Sequence, residues 1–294
     1  MKHRTAIGIL AFCVVAMAAI AAATGIVSKE GPGPYEYESI RGQTVVIYGH
    51  GIYQHMSADV AIQGIAQDYV TLFVGIPLLL IALYLARQGS LRARFLLTGT
   101  LGYFLVTYLF YTAMGMYNYL FLAYVFLLGA SFFAFALALH GLPVQTLPER
   151  MRAPQLVPIV GVFLLVDAVL VALMWLSTVV PPLLDGTIIP VAVQHYTTLI
   201  VQGFDLGLLL PMAFVAGLLA VRKRPAGYLM CTVYVVFLSI MMTALTSKLV
   251  FMARAGENII PAIFIIPVIG AISVVFSILL LASVGSSLRE GRLK

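Results

Sequence analysis

Three acidic side chains stand in stretches otherwise suited to hydrocarbon: Asp68 in AQDYVTLFVGIPLLL, Asp167 in FLLVDAVLVALMW and Asp205 in VQGFDLGLLLP. One lysine, Lys248, does the same in TALTSKLVF. A charge inside a membrane is costly, so such groups face a bundle interior and take a partner, a proton or water. The chemistry open to them is ion pairing, proton relay, or binding of a solute or ion. At 1.5 Å per residue, Asp205 sits roughly 12 Å and Lys248 about 6 to 8 Å below the same end of their spans. Those depths suit an Asp205–Lys248 pair, which either locks two helices together or belongs to a binding path. Gln202, one turn before Asp205, is expected to complete its hydrogen bonding. Pro211, lower in the same span, frees a backbone carbonyl. Asp167 falls near the midplane with no basic residue at its depth. It is expected to be protonated, to be satisfied by hydroxyls such as Thr107, Ser239 or Thr243, or to relay a proton or cation. Asp68, at the outer edge of its span, reads as a carboxylate favoured by a helix N-terminus.

The histidines offer a second chemistry. His50, His55 and His195 fall on one side of the chain's topology, with Met56, Asp59 and Asp185 near them in sequence. Imidazoles with a carboxylate suit Zn or Cu, although the spacing of His50 and His55 fits no helical metal motif. No histidine faces another across mid-span as haem ligation would need. The chain carries no GxxxxGK[ST], HExxH or GxSxG, which disfavours an ATP-driven pump, a zincin and an α/β-hydrolase. Tyr108, Tyr111, Tyr117, Tyr119 and Tyr124 read as an interfacial aromatic belt. Gly99, Gly102, Gly129, Ala130 and Ser131 mark close helix contacts.

These residues must be held by helices in a bilayer. Of 294 residues, 62% are hydrophobic and 10% charged, with a mean hydropathy of +1.05. Such a chain has too little polar surface for a soluble globule. A crossing helix needs roughly 20 apolar residues, and eight segments qualify: 5–27, 68–87, 95–115, 117–139, 155–179, 197–221, 227–252 and 259–284. The fold class is therefore an all-α polytopic transmembrane bundle in one membrane domain: signal segment 1–27, extracytoplasmic cap 28–67, first-half helices 68–154 and second-half helices 155–294.

Lysine and arginine favour the cytoplasmic side in short loops. With the N-terminus inside, Lys2, Arg4, Arg87, Arg92, Arg94, Arg150, Arg152, Arg222 to Arg224, Arg289, Arg292 and Lys294 are all cytoplasmic. Lys29, Arg41 and Arg254 lie outside. The expectation is N-in, C-in in the cell membrane. The net charge of +6 then reflects topology and attraction to anionic headgroups, not nucleic-acid binding, because the basic residues are scattered over short turns. The start, MKHRTAIGILAFCVVAMAAIAAATG, fits an uncleaved signal-anchor; a signal peptide cut at an Ala-x-Ala site such as Ala21-Ala22-Ala23 is the alternative. Phe12 before Cys13 rules out a lipobox, and Cys13 and Cys231 sit in spans at different depths, which opposes a disulfide. In the cap, TVVIYGHGIYQHM suggests a short hairpin, followed by an amphipathic approach helix from Ser57 as N-cap.

IQGIAQDYVTLFVGIPLLLIALYLARQGSLR and VQGFDLGLLLPMAFVAGLLAVRKRPAG share Gln-Gly, Asp, an in-span Pro and a basic turn. This suggests two parallel four-helix halves with a site between them. QGFDLGLLLP with RPAGYL, and AQDYVTLFVGIPLLL, resemble a family of prokaryotic eight-span integral membrane proteins over roughly residues 50–250. The resemblance implies a multi-span fold and assigns no activity to any residue. Two functional expectations stand side by side. One is a small-solute or ion/proton-coupled transporter or permease using Asp205, Lys248, Asp167 and Gln202, with Asp68 near its mouth. The other is a non-transporting sensor or scaffold that binds a ligand, metal or partner through its extracytoplasmic loop. The bilayer is the partner the composition demands, a homo-oligomer is compatible with it, and an intramembrane lipid enzyme lacks the interfacial polar cluster it would need.

Overall fold

A computed structural model describes residues 3–285. Among them, eight helices are long and apolar enough to cross a membrane: α1 (Arg4–Val27), α2 (Ala58–Arg87), α3 (Leu91–Met114), α4 (Phe121–His140), α5 (Leu156–Leu184), α6 (Ile200–Val221), α7 (Pro225–Arg254) and α8 (Ala262–Ser283). Large apolar side chains such as Phe12, Phe133, Leu170 and Phe264 point outward, an arrangement that suits lipid and not water. The chain is an all-α, multi-pass membrane protein. Among the described residues its sheet is one antiparallel hairpin, β1 (Tyr35–Glu38) with β2 (Thr44–Ile47), in the expected cap. The tail charges Lys2, Arg289, Arg292 and Lys294 lie outside the described residues.

The basic turns at Arg87 to Arg94, Arg150 to Arg152 and Arg222 to Arg224 join helices at the end of the bundle opposite the hairpin. There Arg92 Nε donates to the Val284 carbonyl at 2.7 Å, and the Gly285 N–H donates to the Arg150 carbonyl at 2.8 Å. The first bond ties the start of α3, and the second the linker at Arg150, to the end of α8.

The second span differs from its expected boundary. The approach helix and the span form one helix from Ala58, because nothing between Ala58 and Gln67 breaks it and Asp59 suits its first turn. Ser57 does occupy the N-cap position, but its side chain caps nothing; its Oγ meets the Tyr196 hydroxyl at 3.3 Å.

Two helices contain a wide turn. Pro77 and Pro211 lack an N–H and their rings crowd the carbonyl four residues back. The preceding turns, Thr71–Gly75 and Asp205–Leu209, relax into π geometry. In each, the closing N–H reaches five residues back, Ile76 to Thr71 and Leu210 to Asp205. The match extends further: Thr71, Ile76 and Leu91 open the π turn, the helix beyond it and the next span, and Asp205, Leu210 and Pro225 open the same elements at identical spacing. In this register Thr98 corresponds to Thr232; both are fully buried and each donates to the carbonyl four residues back at 2.8 Å. The corresponding helices α3 and α7 pack against each other and are the most buried of the eight. Close approach is possible because Gly99 lies on the Val233 carbonyl and the Val236 side chain, where a Cβ would not fit.

Candidate functional site

Between α2, α3, α6 and α7, toward the cap, lies a cavity of about 160 Å³. Its lining includes four pairs of corresponding positions: Gln67 and Val201, Thr107 and Met241, Tyr111 and Leu245, Met114 and Lys248. It therefore sits where the two similar stretches face each other. The frame is alike on both sides while the chemistry is not, since Lys248 stands where the first half has Met114, and Asp205 where it has Thr71. Apolar groups, among them Phe110, Leu209 and Met241, form most of the wall. Tyr53 and Met56 reach it from the cap.

Asp205 is held by a partner not anticipated in the sequence. Its Oδ2 accepts a hydrogen bond from Trp175 Nε1 on α5 at 2.7 Å. Lys248 lines the same cavity. No direct Asp205–Lys248 contact closes, so the expected locking pair is replaced by two opposite charges facing one space. Gln202 also departs from expectation. Val201, Asp205 and Leu209 follow at four-residue steps and face the cavity, so Gln202 is turned about a quarter of the helix away. It lines a separate hollow of about 410 Å³ with Arg41, Thr197 and Thr198.

Asp68 is the largest correction. Because α2 begins at Ala58, it lies ten residues inside the helix and is 5% exposed, so it is not a helix N-terminal carboxylate. The Tyr53 hydroxyl donates to its Oδ2 at 2.5 Å and the Tyr111 hydroxyl to its Oδ1 at 2.8 Å. The two phenol oxygens are 3.1 Å apart. Behind them, Gln67 Nε2 donates to the Tyr103 hydroxyl at 2.9 Å and to Thr107 Oγ1 at 3.2 Å, while the Thr71 and Tyr103 hydroxyls meet at 2.8 Å. Gln67 Oε1 is buried without a protein partner. Gly25 of α1 abuts this group: a Cβ there would collide with the Asp68 carboxylate and sit 3.2 Å from the Tyr53 hydroxyl. Burial, then the Asp68 charge, push the Tyr53 phenol well above its ordinary range.

The aromatic belt divides accordingly. Tyr117 and Tyr119 are 76% and 72% exposed, as a belt requires, whereas Tyr108 and Tyr124 are buried, stack on each other and pack at a tilt against Tyr111. Tyr103, Thr107 and Tyr111 recur at four-residue steps, a polar helical stripe legible in the sequence.

Asp167 is buried on α5, with Oδ1 lacking a partner. The expected hydroxyls are engaged elsewhere: Ser239 and Thr243 donate to backbone carbonyls in their own helix, and Thr107 accepts from Gln67. Tyr234 of α7 donates its hydroxyl to the Leu209 carbonyl, inside the π turn, at 3.0 Å.

The histidines serve the cap. The His195 ring meets the His55 carbonyl at 3.1 Å, and His50 lies edge-on to Tyr48. No group of three metal-capable side chains forms among the described residues. The segment before α6 is latched onto the hairpin side: Arg41 donates to the Gln194 carbonyl and Gln43 to the Val191 carbonyl, each at 3.2 Å, and Gln194 Nε2 donates to Asp59 at 3.1 Å. Comparison of the chain with family models, curated proteins and solved structures returns no match. The functional reading therefore rests on the site's own chemistry.

Proposed function

We propose that the protein is a small-solute transporter or permease of the cell membrane, coupled to protons or another ion, with its cap outside and both termini in the cytoplasm. The cavity between corresponding helices, walled by Asp205 and Lys248, carries this reading. Transporters built from repeats bind substrate at the repeat interface and expose it by rocking one half against the other. The shared breaks at Thr71 and Asp205 support a duplication of this kind. The cavity's size supports a small cargo, because an apolar cavity of about 150 Å³ accommodates benzene. Tyr53 and Met56 would close the outer mouth. Asp167, buried on α5, which packs against α6, is the second protonatable group that a coupled cycle needs.

A second reading, a non-transporting sensor, draws on the cap itself: Tyr53 carries any displacement of the cap directly to Asp68. Flux in liposomes separates the two. The transport reading expects solute uptake driven by a pH gradient, and its loss in Asp167→Asn and Asp205→Asn proteins that still run as monodisperse species. Uptake unaffected by both changes, or abolished only by loss of the cap–loop contacts, would favour the sensor.

A further inference from the structure

Among the described residues, two opposite charges share one small, largely apolar space without touching. Asp205 has Oδ2 occupied by Trp175, and Lys248 hangs from the facing helix α7. Trp175 orients the carboxylate and supplies one donor, which leaves the rest of its acceptor capacity for an occupant. Asp68, by contrast, has both oxygens taken by Tyr53 and Tyr111 and stands behind the wall. The space thus presents one free anion and one free cation, with Phe110, Met114, Met241 and Leu245 between and around them.

A ligand with a single charge would satisfy one of these groups and leave the other desolvated and unpaired, a penalty that decides buried charge recognition. A ligand bearing both charges satisfies both at once. We propose that the cavity binds a compact zwitterion, a primary or secondary amine and a carboxylate on a small apolar frame, with its ammonium on Asp205 and its carboxylate on Lys248. The cavity volume limits that frame to the size of a small aliphatic amino acid. This assignment rests on the transport reading for its purpose, though not for occupancy, which equilibrium binding tests without flux.

The experiment is a calorimetric titration of the detergent-purified protein with glycine, L-alanine, L-valine, L-proline and γ-aminobutyrate. Each is paired with the matching amine and the matching carboxylic acid, for example isobutylamine and isovaleric acid for L-valine. The expected result is that at least one zwitterion binds about thirtyfold or more tightly than either of its singly charged counterparts. Lys248→Met should weaken the zwitterion to the level of the amine, Asp205→Asn to the level of the acid, and Lys248→Arg should restore much of the affinity. The variant Phe133→Leu, on the outward face of α4 and absent from the cavity lining, should bind as wild type. An amine or an acid that matches the zwitterion, or a panel that is silent while wild type remains folded, overturns the proposal. Zwitterion binding without flux in liposomes would uphold the ligand class and remove the transport reading.

Discussion

Asp68 shows how a buried carboxylate is kept: two phenols donate to it, and a glycine on α1 makes room for it. Removing one hydrogen-bond partner of a buried charge costs about 1–3 kcal/mol or more. Tyr111→Phe, which loses the bonds to Asp68 and to the Gly64 carbonyl, should therefore destabilise the protein by about that amount in chemical denaturation. A neutral result would contradict the network. Trp175→Phe and Asp205→Asn should be coupled in a double-mutant cycle, because those side chains touch. Asp205→Asn and Lys248→Met, which share the cavity without a direct contact, should be coupled more weakly than the touching pair. Tyr53 gives a pH signature. Its phenol is raised in the folded state, so its contribution is complete below the ordinary phenol range and fades only as pH rises past it. Spectrophotometric titration should show Tyr117 and Tyr119 ionising while Tyr53 stays neutral; a Tyr53→Phe protein with unchanged alkaline stability would contradict this. At this scale the sequence announced which residues were costly, since charge in an apolar run is visible, but not their partners. Trp175 lies thirty positions from Asp205 and on another helix, and nothing local joins them.

At the scale of elements, prolines and glycines were the legible signals, and Pro77 and Pro211 do mark altered turns. Their form, π and not a kink alone, depends on how each helix packs. The second span's start was misplaced because a polar first turn of a span reads like a separate surface helix; only its packing on the cap distinguishes them. Helix α1 yields a prediction at this scale. Its face of Ile7, Ala11, Val14, Ala18 and Ala21 is buried, Gly8 meets Arg87, and Gly25 meets Asp68. Cutting after Ala23 would strip that face from α2 and α4. Intact mass of the protein extracted from membranes should include residues 1–23, and Gly25→Val should lower thermal stability by displacing Asp68. A mature mass lacking residues 1–23 would contradict the packing.

Over the whole molecule, the eight spans and the bundle class followed from composition, and the likeness of the α2–α3 and α6–α7 stretches from a short motif whose acidic residues proved to be misaligned. The structure sets Asp205 opposite Thr71, and Asp68 opposite Gln202, with the prolines in register. The cavity falls between corresponding surfaces, and one half supplies both of its charged walls. The central claim, that this space is a water-reachable binding site inside the bundle, is tested most directly by cysteine accessibility. Met241→Cys in a Cys13→Ser, Cys231→Ala background should react with a membrane-impermeant maleimide added from the cap side, while Leu97→Cys, in the packed core, should not. Reaction of Met241→Cys no faster than Leu97→Cys would mean that the space is sealed and structural.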